Sequence, residues 1–243
     1  NYKIILSFHG NELERIKKYN NWNFKSILYY KLINISDYIT GCSNFILDEL
    51  RECFPKLESE KLKPILNGVN NKILTKPLNL KRKEFLFSAA RFVPKKGIDL
   101  LVEILSKLNS KKLYLAGGCE KDIDLMSLKL TSNIEILGKQ EFKSIINYLS
   151  CAKITLVTSK IEPFGIFVAE AISSGTPLIT TNVGGIPEVI ALATQSLTVK
   201  EKRLFSLWVK IVDPNVESFI SAIRKINSNE ESSYRDFLEV INK

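Results

Sequence analysis

Two carboxylates, Glu162 and Glu170, bracket the stretch Glu162-Pro163-Phe164-Gly165-Ile166-Phe167-Val168-Ala169-Glu170. An apolar run at 153–158 precedes it and reads as a buried strand; helical spacing over 164–174 follows. Pro163 fixes its own φ and lacks an N–H, which suits a loop or a first helical turn. Glu162 is therefore expected on the loop at the carboxyl end of the strand, and Glu170 about one and a half turns into the helix. Between them the helix start offers unpaired N–H groups and the positive end of its dipole, where an anion can bind. A diphosphate joined to two polyols, each able to donate hydroxyl protons to a carboxylate, fits that arrangement. A sugar nucleotide is such a molecule. On spacing alone, a capping carboxylate plus a solvated helix residue explains the two glutamates equally well.

Other residues that could meet an anion or a sugar lie on loops after strands. Arg91 and Lys96 flank a strand-to-helix loop, where Arg can grip a diphosphate through two parallel bonds and Lys through one. In so lysine-rich a chain, a solvated loop is the simpler reading of the spacing. The sole histidine, His9, follows the apolar run 2–8. It is thus expected at a strand's carboxyl end, the edge where ligands of open α/β sheets collect; a capping or solvent-facing imidazole is the plainer alternative.

The elements that must position these residues alternate. Strand-like runs at 2–8, 37–43, 62–66, 85–90, 112–116, 133–137 and 153–158 are separated by helical spacing at 13–19, 25–34, 45–50, 98–108, 122–130 and 142–151. This predicts an α/β protein with parallel sheets covered on both faces. Ser43 or Asn44 is expected to cap the helix that follows it. Residues 71–83, with Pro77 and the basic run Lys81-Arg82-Lys83, read as a solvated linker. Region 191–212 is the least legible, with a strand expected over 208–212 and helices over 216–226 and 234–241.

The context downstream is more specific. Ser173-Ser174-Gly175-Thr176-Pro177 ends the helix, 178–180 reads as a strand, and Asn182-Val183-Gly184-Gly185-Ile186-Pro187-Glu188 is a glycine turn opening another helix. The run from Glu162 to Glu188 resembles the signature of the retaining, nucleotide-sugar-dependent glycosyltransferases of the GT-B fold, family four, often called group 1. The resemblance covers most of 65–188 and is weaker on either side.

The resemblance implies a GT-B-like fold of two Rossmann-like domains: a partial acceptor-side domain over 1–78 and a nucleotide-sugar-binding domain over 79–243. It implies transfer of a sugar from a nucleotide-diphosphate sugar to a sugar, polysaccharide or lipid-linked acceptor, with retention at the anomeric carbon. In the roles it implies, Glu170 accepts bonds from the ribose hydroxyls and Glu162 touches the donor sugar. The backbone N–H groups of Phe164, Gly165 and Ile166 approach sugar or phosphate. Arg91 and Lys96 hold the phosphates, backbone near Gly138 and Lys139 meets the base edge, and His9 reaches across toward the donor sugar. It implies a metal-independent reaction with no cofactor besides the donor. Complete family members begin with further strands and a glycine-rich loop, and this chain starts at what looks like the middle of that domain. Asn70 stands where the family has Asp, and the C-terminal segment that usually crosses back is not recognisable. An excised fragment and a shortened protein both remain open.

Composition bounds these readings. The 243 residues are 45% hydrophobic and 25% charged, as in a globular protein. Four scattered cysteines without a C-x-x-C pair, and a single histidine, argue against a zinc site or a disulfide framework. With no apolar run near the ~20 residues of a membrane span and no signal-peptide pattern, a cytoplasmic enzyme is expected. The formal net charge of +9 favours polyanions: nucleotide diphosphates, or peripheral contact with an anionic inner membrane face. No nucleic-acid motif is evident. Two other classes stay in view: a non-catalytic sugar-nucleotide-binding subunit that needs another chain for its acceptor side, and a nucleotide-sugar epimerase, which needs more acid/base residues than one histidine provides.

Overall fold

The computed structural model of the protein describes residues 2–10, 12, 13, 16, 24–69 and 82–242. The helical pattern at 13–19, most of the linker at 71–83, Asn70 and the 78/79 domain boundary lie wholly or largely outside the described residues.

Among the described residues there are two sheets, and every recorded strand pairing in them is parallel. The first runs β1-β2-β3, with β1 at Ile5–Phe8, β2 at Tyr38–Gly41 and β3 at Leu62–Pro64. Helices α1 (Phe24–Ile35) and α2 (Asn44–Cys53) connect them. Ile39, Leu47 and Leu50 are fully buried between α2 and the sheet. Helix α1 is apolar on several sides, and Ile27, Leu28, Tyr30 and Ile35 are exposed.

The second sheet has six strands in the order β6-β5-β4-β7-β8-β9. Its elements alternate: β4 (Lys83–Ala89), α3 (Ile98–Ser106), β5 (Lys112–Ala116), α4 (Glu120–Leu125), β6 (Ile134–Gly138), α5 (Phe142–Cys151), β7 (Ala152–Val157), α6 (Ile166–Ser173), β8 (Leu178–Thr181) and α7 (Ile186–Thr194). Then follow α8 (Val199–Trp208), β9 (Val209–Val212), α9 (Val216–Asn227) and α10 (Glu231–Ile241). The central strands are buried almost throughout, as a parallel sheet covered on both faces requires. The chain winds outward from β4 through β5 to β6, then returns beside β4 as β7 and winds the other way. The β4/β7 junction is therefore the switch point, outside whose carboxyl ends ligands bind in such sheets.

Among the described residues the alternation expected from sequence is the one found; outside the cleft, three differences stand out. Helix α4 stops at Leu125 rather than near 130, because Ser127 takes a left-handed φ of 54° that no helix continues through. The obscure region 191–212 contains a full helix, α8. Its start is a capping box: the Thr198 hydroxyl accepts from Glu201 N, and the Glu201 carboxylate accepts from Thr198 N.

The third difference concerns Arg82, expected on a solvated link. Its guanidinium is part-buried and ties the second domain together. Nη1 donates to Leu149 O at 2.8 Å and Nη2 to Gly175 O at 2.7 Å, while Nε bonds the Tyr234 hydroxyl, which itself donates to Gly175 O at 2.9 Å. Leu149 lies in the last turn of α5, and Gly175 just beyond α6. One cation thus meets the negative ends of two helices and anchors α10 to both. Burial pulls the Arg82 pKa down, and the phenol beside it pulls back.

Candidate functional site

A cleft of about 570 Å³ opens at the β4/β7 switch point, within the size range of small-molecule sites. The end of β4 and the loop after it deliver Ser88 to Arg91, the end of β7 and its loop deliver Val157 to Ser159, and the following loop and α6 deliver Glu162 to Phe167 and Glu170. Across from them, the first domain contributes His9, Cys42 and Asn67.

The two carboxylates occupy different settings. Glu162 sits on the loop, as its spacing implies. Lys96 Nζ lies 2.5 Å from its Oε2, and the Ser159 hydroxyl donates to the same oxygen at 3.2 Å. The two side chains of this ion pair are only 16% and 14% exposed. The loop is held from below. Gly185 N donates to Glu162 O at 2.9 Å, and Gly184, at φ 57°, lies so close that a Cβ would stand 2.0 Å from the same carbonyl. Only glycine fits both that backbone angle and that approach.

Glu170 is on α6 and faces the cleft. Burial alone raises its carboxyl above the usual range; no cation among the described residues offsets it. A desolvated carboxylate of this kind gains most from a ligand that donates hydrogen bonds. Helix α6 begins at Ile166 with Gly165 as its N-cap, two residues later than the spacing suggested. Phe164, Gly165 and Ile166 still line the cleft, beside the helix's positive end.

The other expected residues separate. Arg91 and Lys96 both line the cleft, but Lys96 is held by Glu162 while Arg91 is exposed at the wall. Gly138 and Lys139 stand just beyond the described lining, where Gln140, Phe142 and Ile145 form the wall instead. Gln140 is pinned there by its amide nitrogen, which donates to Leu137 O at 2.5 Å. Phe142 and Ile145 lie on the helix expected over 142–151, but helical spacing alone does not mark which of its residues face a cleft, and Gln140 falls in the loop before it. His9 lies across the cleft. Thr40 donates to the Ser7 hydroxyl at 2.9 Å, and that hydroxyl shares a hydrogen bond with His9 Nε2 at 3.2 Å. Burial pushes the Cys42 thiol up, against weaker lowering by its own backbone and Ser43, so it stands protonated in the cleft rather than as a nucleophile. No group of three or more His, Cys, Asp or Glu able to hold a metal occurs among the described residues.

The fold has close counterparts in solved structures. Sucrose-phosphate synthase from Thermosynechococcus elongatus superposes over 100% of this chain and 62% of its own, with a TM-score of 0.72 at 20% identity. HepE of Anabaena, in complex with UDP and glucose, superposes over 99% and 69%, with a TM-score of 0.65 at 16% identity. Both comparisons carry the GT-B architecture. In sequence, an uncharacterized glycosyltransferase of Methanocaldococcus jannaschii is 29% identical over 211 residues, 86% of this chain and 57% of that relative. The chain spans about half the length of the curated relatives it matches. The family described as Glycosyl transferases group 1 matches residues 70–238, which include the whole cleft wall from Ser88 to Glu170. The chain belongs to the group 1 glycosyl transferases.

Proposed function

We propose that the cleft binds a nucleotide-diphosphate sugar, and that the protein of which this chain forms the donor side transfers the sugar to a sugar, polysaccharide or lipid-linked acceptor with retention at the anomeric carbon. One observation carries this: a half-buried carboxylate without a counter-charge among the described residues, Glu170, and a paired one, Glu162, flank the start of α6, with Arg91 on the facing wall. That is a receptor for a diphosphate with a hydroxylated group at each end. Glu170 takes the ribose hydroxyls and the α6 N-terminus with Arg91 takes the diphosphate. Glu162 takes the sugar, with His9 opposite. As the glycosidic bond breaks, the sugar gains oxocarbenium character and charge builds on the departing diphosphate. Arg91 and the helix dipole then contribute most, because their attraction grows toward the transition state. Lys96 lies between the two roles: it pairs with Glu162 and can turn to the phosphates of a donor. With these charges in place, no divalent cation is required. Among the described residues no helix is long and apolar enough to cross a membrane; the net charge of +9 supports peripheral contact with an anionic face.

One observation favours a second reading. Among the described residues the first sheet has three strands and α1 leaves apolar residues exposed, which supports a non-catalytic sugar-nucleotide-binding subunit that needs another chain for its acceptor side.

The experiment that tests the main reading separates the two carboxylates. Contacts made in the ground state alter affinity; those made in the transition state alter turnover. Glu162→Gln frees Lys96 for the phosphates, so binding of free nucleoside diphosphate is expected to hold or tighten. Turnover of the complete enzyme should fall at least about tenfold, or 1.4 kcal/mol of transition-state stabilisation. Weaker nucleotide binding by Glu162→Gln, at unchanged melting temperature, would contradict the assignment of this carboxylate to the sugar.

A further inference from the structure

Helix α2 of the first domain meets the second domain end-on. Its N-cap, Ser43, is extended; the hydroxyl oxygen accepts from Ile46 N at 3.2 Å, and the hydroxyl donates to Pro163 O at 2.5 Å. The next two N–H groups have no partner within their helix. They donate instead to Glu188 in the first turn of α7: Asn44 N to Oε2 and Phe45 N to Oε1, each at 2.8 Å. The Asn44 side-chain amide adds a third bond to Oε2 at 2.9 Å. A carboxylate from one domain thus caps, through both oxygens, the positive end of a helix in the other.

The consequence lies in what Ser43 and Glu188 are attached to. Ser43 holds the carbonyl of Pro163, the residue after Glu162. Glu188 follows the Gly184-Gly185 turn, whose Gly185 N–H holds the carbonyl of Glu162. The first domain therefore grips the Glu162 loop at two consecutive carbonyls, one directly and one through the α7 turn. At Gly10, with φ 109°, the contact is so close that a Cβ would stand 2.3 Å from the Pro163 ring. A plain helix cap would be met by a residue of the same domain and would not touch this loop.

We propose that Ser43 and Glu188 are positioning residues that latch the first domain onto the Glu162–Gly165 loop, so that Glu162 is set for the donor sugar only while the latch is closed. This rests on the reading of the cleft as a sugar-nucleotide site. Glu170 and Arg91, on the nucleotide side of the cleft, belong to the second domain and lie outside the hydrogen bonds that Ser43 and Glu188 make.

Residue-resolved amide exchange on the whole chain tests it without a ligand. Glu188→Gln, which keeps the shape and removes the charge, should speed exchange at Asn44 and Phe45 by about tenfold, and at Gly185 with them. Ser43→Ala, a milder change, should speed Gly185 as well. Acceleration of Asn44 and Phe45 with Gly185 unmoved in both variants would reduce Glu188 to a helix cap and overturn the proposal; so would no acceleration at all. The second readout is titration with UDP, ADP and GDP and their glucose conjugates. Glu188→Gln should keep the affinity for the free diphosphate within about twofold and lower the preference for the sugar conjugate by about fivefold. An unchanged preference overturns the proposal. Binding of none of these probes by the parent chain would sink the reading of the cleft, and the positioning role with it, while the exchange result still decides whether the latch exists.

Discussion

Replacing Arg82 with alanine is expected to destabilise the second domain by about 3 kcal/mol. Its guanidinium donates to Leu149 O, Gly175 O and the Tyr234 hydroxyl, and bonds to a charged donor contribute about 1.5–3 kcal/mol each before correction for partial exposure. Removal leaves carbonyls at the ends of α5 and α6 without this donor, and frees α10. For a chain of this size the melting temperature should drop by roughly 6–12 °C. Lysine at this position keeps the charge but presents a single ammonium to partners spread over two helices, and should recover less than half of the loss. Thermal and urea unfolding of both variants measure this. An unchanged urea midpoint for Arg82→Ala would show that the basic run at 81–83 is a solvated link after all.

Glu170→Gln is expected to move stability and binding in opposite directions. Burial raises the Glu170 carboxyl in the folded chain. A folded pKa above the unfolded one gives stability that is present in acid and is lost as pH rises through the folded value. The glutamine variant lacks this loss, so it should melt higher than the parent near neutral pH, with the difference closing as pH falls through the carboxylate range. The same variant should bind nucleoside diphosphate roughly ten- to hundredfold more weakly, since an amide replaces a charged acceptor of the ribose hydroxyls. In the parent chain, affinity should fall as pH drops through the raised Glu170 pKa, because only the carboxylate accepts two hydroxyl protons. A variant that loses binding and stability together would instead mark Glu170 as a structural residue.

The sequence makes the second domain far more legible than the cleft within it. Parallel strands buried on both faces read as continuous apolar runs, so β5 and α5 could be bounded to the residue, and β7 to within one. The Glu162 loop and α6 follow from Pro163 and the spacing alone. The ion pair of Lys96 with Glu162 does not: the two are 66 positions apart, and the close approach of the 96–97 and 158–162 loops sets it. Arg82 misled for a related reason. Three basic residues in a row read as surface, yet its partners are two carbonyls, which leave no mark in a sequence, and a phenol 152 positions away. Helix α8 was missed although Thr198 and Glu201 carry its capping box, because its apolar pattern is weak beside three basic residues. Glu188 belongs to a recognisable turn, but nothing local tells that its carboxylate is taken by the other domain.

The most direct test of the account is calorimetric titration of UDP, GDP and ADP, and of their sugars, into the parent chain and Arg91→Ala in buffer containing EDTA. At least one nucleoside diphosphate should bind the parent without metal. Arg91→Ala should weaken that binding by about 1.5–3 kcal/mol, the range for a hydrogen bond to a charged group. Binding that appears only on addition of Mg²⁺ or Mn²⁺, equal affinity of the variant and the parent, or no binding by any of the nucleotides would contradict a diphosphate held by Arg91 and the start of α6.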